Sequence, residues 1–279
     1  MKSIIKTLGL GLTCLCATAV MAQDDNTNTK KVNPRDGIYE RISIAERPTL
    51  TYAPLREADV VREHSIWREI DICEKQNQHF RYPKQYFIDL MQKLSDENKI
   101  ALYSSDDFSQ AMTTLEKQSL WSKADTITNY DVDDFTPNTK IVYNEINPDD
   151  IKKFRVKEVW FFDEQRSTMS VRILGIAPIL TKFDNMGNAL FNYPMCWMYY
   201  PEARQYLTHF DAFTSDNDRS SLSWEDVFEM HFFNSTLTKA SDITDKALSM
   251  RYDDNRTRLL EAEKIHTSIF NLEQSVWQY

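Results

Sequence analysis

Val156-Lys157-Glu158-Val159-Trp160-Phe161-Phe162-Asp163-Glu164-Gln165, running on through Met169-Ser170-Val171-Arg172-Ile173 to Pro178, is the stretch that decides the fold. Glu158, Trp160 and Phe162 alternate with Lys157, Val159 and Phe161, and after Asp163-Glu164-Gln165 the residues Met169, Val171 and Ile173 alternate with Ser170 and Arg172. Period-two alternation either side of a polar turn predicts a β-hairpin with one buried face. Consecutive Trp160-Phe161-Phe162 places aromatic side chains on both faces of its strand, so a second layer must cover the other side.

Downstream, Phe191 to Tyr200 reads as another strand, rich in aromatics and Met, with Pro194 marking an edge or a late start. Ser223 and Asp226 form a capping-box pattern that predicts a helix through Phe233. From Asp254 onward Leu259, Ala262, His266, Ile269, Phe270, Val276 and Trp277 fall on one helical face, which must pack on its own domain or on a neighbour.

Upstream, the spacing of Val60, His64, Trp67 and Ile70 predicts a helix from Glu57 to about Gln76, although Ile70 and Ile72 also alternate as a strand would. Pro83 opens a helix to Asn98 with Tyr86, Phe87, Leu90, Met91 and Leu94 as its apolar stripe. Ile100 to Tyr103 is a short strand, Ser105-Asp106-Asp107 can cap a helix through Leu115, and the Asp-, Asn-, Thr- and Pro-rich residues 122–150 read as loop. Strands and helices without regular βα alternation define the α+β class.

The first 22 residues read as a secretory signal. Lys2 and Lys6 precede an apolar core from Leu8 to Val20, and Val20-Met21-Ala22 supplies a cleavage site before Gln23. Neither Cys14 nor Cys16 has the residues before it that lipid attachment needs, so the signal reads as cleaved and non-lipidated. Removing it takes two lysines and no acid, which moves the net charge from −9 to −11. That balance argues against nucleic acid and anionic lipid surfaces as partners. Residues 23–36 form a polar leader, and Tyr39 to Pro54, interrupted by Pro48 and Pro54, form an extended arm. The remaining cysteines, Cys73 and Cys196, either pair, as export permits, or stay two buried thiols. The chain thus divides into a signal (1–22), a leader and arm (23–54), one α+β domain with a hairpin-rich sheet and packing helices (55–250), and an amphipathic C-terminal helix (251–279).

Catalytic patterns are missing. Beyond the signal the chain holds only Gly37, Gly175 and Gly187, too dispersed for a phosphate-cradling loop or a nucleophile elbow. The histidines His64, His79, His209, His231 and His266 show no metal-ligand spacing. Asp216 and Asp218 lack the first acid and the glycine of a calcium loop, and Ser215-Asp216-Asn217 has no Ser-x-x-Lys partner. Asp163 and Glu164 are the best carboxylate pair, and a hairpin turn explains them equally well. No cofactor or metal is expected. What stands out is the aromatic load of 15 Phe, 13 Tyr and 6 Trp, the residues that anchor cores and interface centres.

Four blocks carry a family resemblance in order along the chain. They are Leu55-Arg56-Glu57-Ala58-Asp59-Val60 with Trp67-Arg68-Glu69-Ile70-Asp71 and Tyr82-Pro83; Val159 to Asp163 with Arg172 to Pro178; Tyr199-Tyr200-Pro201-Glu202-Ala203-Arg204; and Trp224-Glu225-Asp226-Val227-Phe228 with Phe232-Phe233-Asn234-Ser235. Together they resemble the GldN/PorN family of the type IX secretion system and gliding machinery. The resemblance implies a periplasmic, non-enzymatic ring subunit. It implies attachment to the outer membrane through a GldK/PorK-like lipoprotein, contact with a GldM/PorM-like motor protein, and self-association in the ring. On that reading the partner-contact residues are expected among Tyr39, Leu55, Arg56, Trp67, Arg68, Trp160, Trp197 and Tyr199. Two rival readings are a periplasmic carbohydrate- or peptide-binding module using the 191–200 aromatics, and a glycoside hydrolase using Asp163 and Glu164.

Overall fold

A computed structural model describes residues 46–83, 85–130, 137–183, 189–213 and 222–276. The 156–178 stretch forms the hairpin its alternation predicts: β5 (Lys153–Asp163) pairs antiparallel with β6 (Thr168–Phe183), with Asp163 opposite Thr168 across the turn. On β5, Phe154, Val156 and Glu158 are buried toward one side, whereas Phe161 and Phe162 are both buried, so each face of the strand is covered at its aromatic end. The register shifts at Lys157/Glu158, where Leu174 is the extra residue of a β-bulge.

This hairpin is the centre of a seven-stranded antiparallel sheet ordered β2-β8-β6-β5-β1-β9, with β7 also paired to β6. The flanking strands are β1 (Val60–Asp71), β2 (Leu102–Tyr103), β7 (Ala189–Pro194), β8 (Trp197–Tyr199) and β9 (Thr236–Ala240). The helices are α1 (Phe87–Asp96), α2 (Thr114–Trp121), α3 (Tyr200–Leu207), α4 (Trp224–Glu229), α5 (Leu248–Arg251) and α6 (Asn255–Val276), with a 3-10 segment at Lys75–Arg81. The α+β class and the single mixed domain stand.

Several elements differ from expectation, each for a physical reason. Residues 60–71 are not a helix but the twelve-residue strand β1, hydrogen-bonded to β5 along its length and to β9 from Ile66 to Glu69. Trp67 and Ile70, which look like one helical face, lie on opposite sides of the sheet, and pairing on both edges overrides a local pattern that fits either period. No helix follows Ser105-Asp106-Asp107; Asp107 instead accepts from Ser109 N–H and Oγ in a turn. The helix nearby is α2, opened by a capping box in which Thr113 and Glu116 hold each other's backbone N–H.

Residues 122–130 and 137–145 are strands rather than loop: β3 (Ser122–Tyr130) and β4 (Pro137–Glu145) pair from Ser122–Glu145 to Tyr130–Pro137. The 191–200 strand is two strands, because Pro194 ends β7 and β8 begins at Trp197 on the same partner, β6. Helix α4 forms on the predicted Ser223–Asp226 box but stops at Glu229, and His231 takes φ of 50° in the exit. The 23–36 leader, Tyr39, and the Asp216–Asp218 and Ser215–Asn217 patterns lie outside the described residues.

The main core lies where α1, α3, α4 and the 75–81 segment cover one sheet face. It is built around Phe80, Phe87, Phe154, Trp224 and Phe228, with ring centroids 4.6–6.3 Å apart. Helix α6 closes a second cluster against Ile66, Leu237 and Leu248 through Ala262 and Ile269, with Trp160 and Met169 packed beside them. The C-terminal helix therefore packs on its own domain. Its buried line is narrower than expected: Leu259 and Phe270 are more than half exposed.

On the opposite sheet face Trp67, Ala177 and Trp197 meet Tyr103 and Phe108. Gly175 makes this packing possible, since a Cβ there would sit 2.5 Å from Phe108 Cζ and 3.2 Å from Trp197 Cε3.

Candidate functional site

Residues 46–56, the described part of the arm, form no regular element and are held to their own domain by side chains. Arg47 makes a forked contact to Asp226, with Nη1 2.5 Å and Nη2 3.0 Å from its two carboxylate oxygens. Asp226 can accept it because the same carboxylate, as the third residue of the α4 capping box, already takes Ser223 N–H. Thr49 and Thr208 hydroxyls lie 3.0 Å apart, and Arg172 donates to the Ala53 carbonyl at 2.9 Å.

The centre of the clasp is Tyr52. Its hydroxyl donates to Glu229 Oε1 at 2.5 Å, and its ring lies 4.0 Å from the Arg204 guanidinium and 4.9 Å from that of Arg172. Burial, and then the Glu229 hydrogen bond, push the Tyr52 phenol well above its ordinary pKa.

Beneath Tyr52, Arg204 Nε reaches Glu225 Oε1 at 2.7 Å and Glu229 Oε1 at 3.4 Å, with the Arg204 and Glu225 side chains 9% and 7% exposed. Burial disfavours the Arg204 charge, but Glu229, Tyr52 and Glu225 outweigh it and its pKa is raised. Two helices are thus tied together under the arm by ionic groups that the arm itself shields from water.

A second buried pair joins the sheet to the α4 exit. Glu158, fully buried on β5, accepts from Trp160 Nε1 at 3.0 Å and faces His231 Nε2 at 3.2 Å. Burial lowers the His231 pKa and the Glu158 carboxylate raises it, with the raise prevailing.

Of the residues expected at partner contacts, Trp67 and Trp197 are buried and Arg56 is exposed. Trp67 is 8% exposed and donates from Nε1 to Asp106 at 2.9 Å, while Lys239 and Lys157 lie 4.3 and 5.4 Å from its ring. Arg68 Nε donates to Ser235 Oγ at 2.8 Å and ties β1 to the chain entering β9. Trp160 packs under α6, 6.3 Å from the His266 ring. Trp197 is 3% exposed, and Tyr199 lies 5.0 Å from Phe108. Leu55 is half-buried, and Arg56 is exposed just ahead of the Glu57–Asp59 turn that leads into β1.

Asp163 is buried at the hairpin turn, where it accepts Gln165 N–H at 3.0 Å, and Glu164 is exposed. The turn assignment accounts for both. Cys196 is buried, its thiol pushed up to about 12 by burial, and Cys73 is exposed; both are free. Among the described residues no three His, Cys, Asp or Glu side chains cluster as metal ligands, and no helix is long and apolar enough to cross a membrane.

Sequence reading missed a groove of about 920 Å³ lined by residues of the 75–81 segment with Tyr82, Pro83, Tyr86, Phe213 and Phe232. Tyr82 and Phe213 stack at 4.1 Å with planes 5° apart. They are 131 residues apart in sequence, and no local pattern links them.

The site is thus an α+β domain whose charged clusters tie segments of its own chain together, with a clasped arm and an aromatic groove at its surface. The model of the family described as gliding motility associated protein GldN matches residues 55–278, and the chain belongs to that family. Among curated proteins none matches the chain.

Proposed function

We propose that the chain is a non-enzymatic structural subunit of the type IX secretion and gliding machinery, working in the periplasm in a ring with a GldK/PorK-like outer-membrane lipoprotein and in contact with a GldM/PorM-like motor protein. The observation that carries this reading is the match to the gliding motility associated GldN family over residues 55–278. The secretory pattern of residues 1–22 supports export, and a lipidated partner would hold an acidic chain at a membrane that its charge does not attract.

The test is co-expression of the full chain with a GldK/PorK-like lipoprotein from the same organism, followed by affinity purification and negative-stain imaging. Rings or arcs containing both proteins support the reading. A clean monomer that ignores the lipoprotein overturns it. Deleting residues 23–56 in the same experiment asks what the arm does. The clasp contacts are made by side chains on a closed domain, so the truncated chain is expected to stay folded and to lose assembly. Normal assembly by that truncation removes the arm from the account.

A further inference from the structure

The groove beside the 75–81 segment is built for a ligand that the chain itself does not supply among its described residues. Its charged lining residues are Lys75 and Arg81, with no carboxylate, on a chain of net charge −9. Asp149 pairs with Arg81 at 3.2 Å from outside the lining, and Lys75 is exposed with no ion pair among the described residues. A basic groove on an acidic protein selects an acidic occupant.

The apolar part of the lining is aromatic: the Tyr82–Phe213 stack, Tyr86, and Phe232, which is 49% exposed. Rings held half-open to water are an anchoring platform for another apolar or aromatic group. The side chains of Gln76 and Gln78, both exposed, make no hydrogen bond within the described chain, and paired amides of this kind read a peptide backbone. His79 Nε2, buried on the groove wall, also lacks a partner, and burial holds this imidazole neutral, its pKa lowered to about 4. A neutral ring fits a groove whose positive charge comes from the rim alone.

We propose that this groove docks an extended segment of a partner protein that presents aromatic and acidic side chains on the same face, at every second residue. The proposal rests on the reading of the chain as an assembly subunit and names the chemistry of one of its contacts. The aromatic side chains would stack on Tyr82–Phe213 and Phe232. The acids would meet Lys75 and Arg81, and the backbone would be read by Gln76 and Gln78. The groove is partly open and lined by three chain segments, which suits an extended segment better than a small molecule enclosed on all sides.

The experiment is a fluorescence-anisotropy titration of the full chain with fluorescein-labelled Glu-Ser-Phe-Ser-Glu-Ser-Tyr, whose acids and rings share one face when extended. A counterpart with Lys for Glu and one with Ala for the aromatics serve as comparison. The acidic aromatic peptide is expected to bind at least tenfold more tightly than either counterpart, and bound peptide should slow alkylation of Cys73, which lines the groove. Lys75→Glu, at an exposed position, should weaken binding several-fold with an unchanged melting temperature. Phe213→Ala should weaken it about tenfold; if that variant melts early, Lys75→Glu decides alone.

Equal binding of the Lys counterpart, or wild-type binding by Lys75→Glu, overturns the proposal. So does concentration-dependent self-association lost in Lys75→Glu, which would assign the groove to a second copy. Because the titration uses the isolated chain, it separates the two readings. A chain that forms rings with the lipoprotein but ignores the peptide loses only the groove proposal, whereas a chain that forms none loses the assembly reading whatever the peptide does.

Discussion

Replacing Arg204 with Met tests the ionic centre of the clasp. Met keeps most of the side-chain volume and removes the guanidinium that holds Glu225 at 2.7 Å and Glu229 at 3.4 Å. With Glu225 only 7% exposed, its carboxylate would be left desolvated and unpaired, a change that costs about 3–5 kcal/mol. For a domain of this size about 2–4 °C accompany each kcal/mol, so the melting temperature should fall by on the order of 10 °C. The double variant Arg204→Met with Glu225→Met removes both charges and should recover most of the loss, because an apolar pair of similar volume needs no desolvated ions. Urea unfolding followed by far-UV circular dichroism measures all three proteins. Tyr52 rests on Arg204 at 4.0 Å, so proteolysis within residues 46–56 should also speed up in the single variant. A loss below about 1 kcal/mol, or a double variant no better than the single, would show that the pair is hydrated and that the clasp is not organised around it.

Gly175→Ala should destabilise the domain by about 1–3 kcal/mol, read by the same denaturation, because its Cβ would meet Phe108 at 2.5 Å; a neutral result would mean that the Phe108 turn moves freely. In a mass-spectrometric alkylation map Cys73 should react in the native protein, while Cys196, buried with its thiol pushed up to about 12, should react only on unfolding. The histidines give opposite pH slopes. His79, lowered to about 4 from 6.5, binds a proton more readily unfolded, so stability present above pH 6.5 should fall by about 3 kcal/mol as pH drops to 4; His79→Gln should flatten that limb relative to wild type. His231 is raised by Glu158, so its contribution is complete below pH 6.5 and is lost as pH rises through the folded value, a limb that His231→Gln should remove.

What could be read in advance depended on whether the signal was local. The 156–178 hairpin, the Ser223–Asp226 cap, α1 and the C-terminal helix announce themselves within a dozen residues, and they formed. β1 did not, because Trp67 and Ile70 satisfy a helical period as well as a strand with both faces covered, and only pairing with β5 and β9 decides between them. β3 and β4 were hidden by turn-forming residues that a two-stranded hairpin tolerates. The clasp and the groove could not be read at all, since Arg47 and Asp226, or Tyr82 and Phe213, become neighbours only after the sheet is built.

The motifs that carry the family resemblance are therefore mainly instructions for folding. Trp67, Trp197 and Tyr200 are buried, Arg68 is spent on Ser235, and Arg204 and Glu225 are spent on each other. Burial of this kind leaves few motif residues at the surface, and Tyr82, Pro83 and Phe232 are among those that line the groove. The surfaces proposed for binding are the exposed groups that the buried motifs hold in place: the arm lying across α3 and α4, and the Lys75, Tyr82, Phe213 and Phe232 groove beside them. Both surfaces depend on α4, whose cap residue Asp226 receives Arg47 and whose Trp224 packs behind His79 at 5.8 Å. Occupancy of one surface can accordingly be felt at the other through this short helix. The two meet in one measurement: Asp226→Asn, which weakens the Arg47 fork while leaving the groove lining untouched, should release the arm and shift peptide affinity by a few-fold. Unaltered peptide affinity with a released arm would make them independent sites.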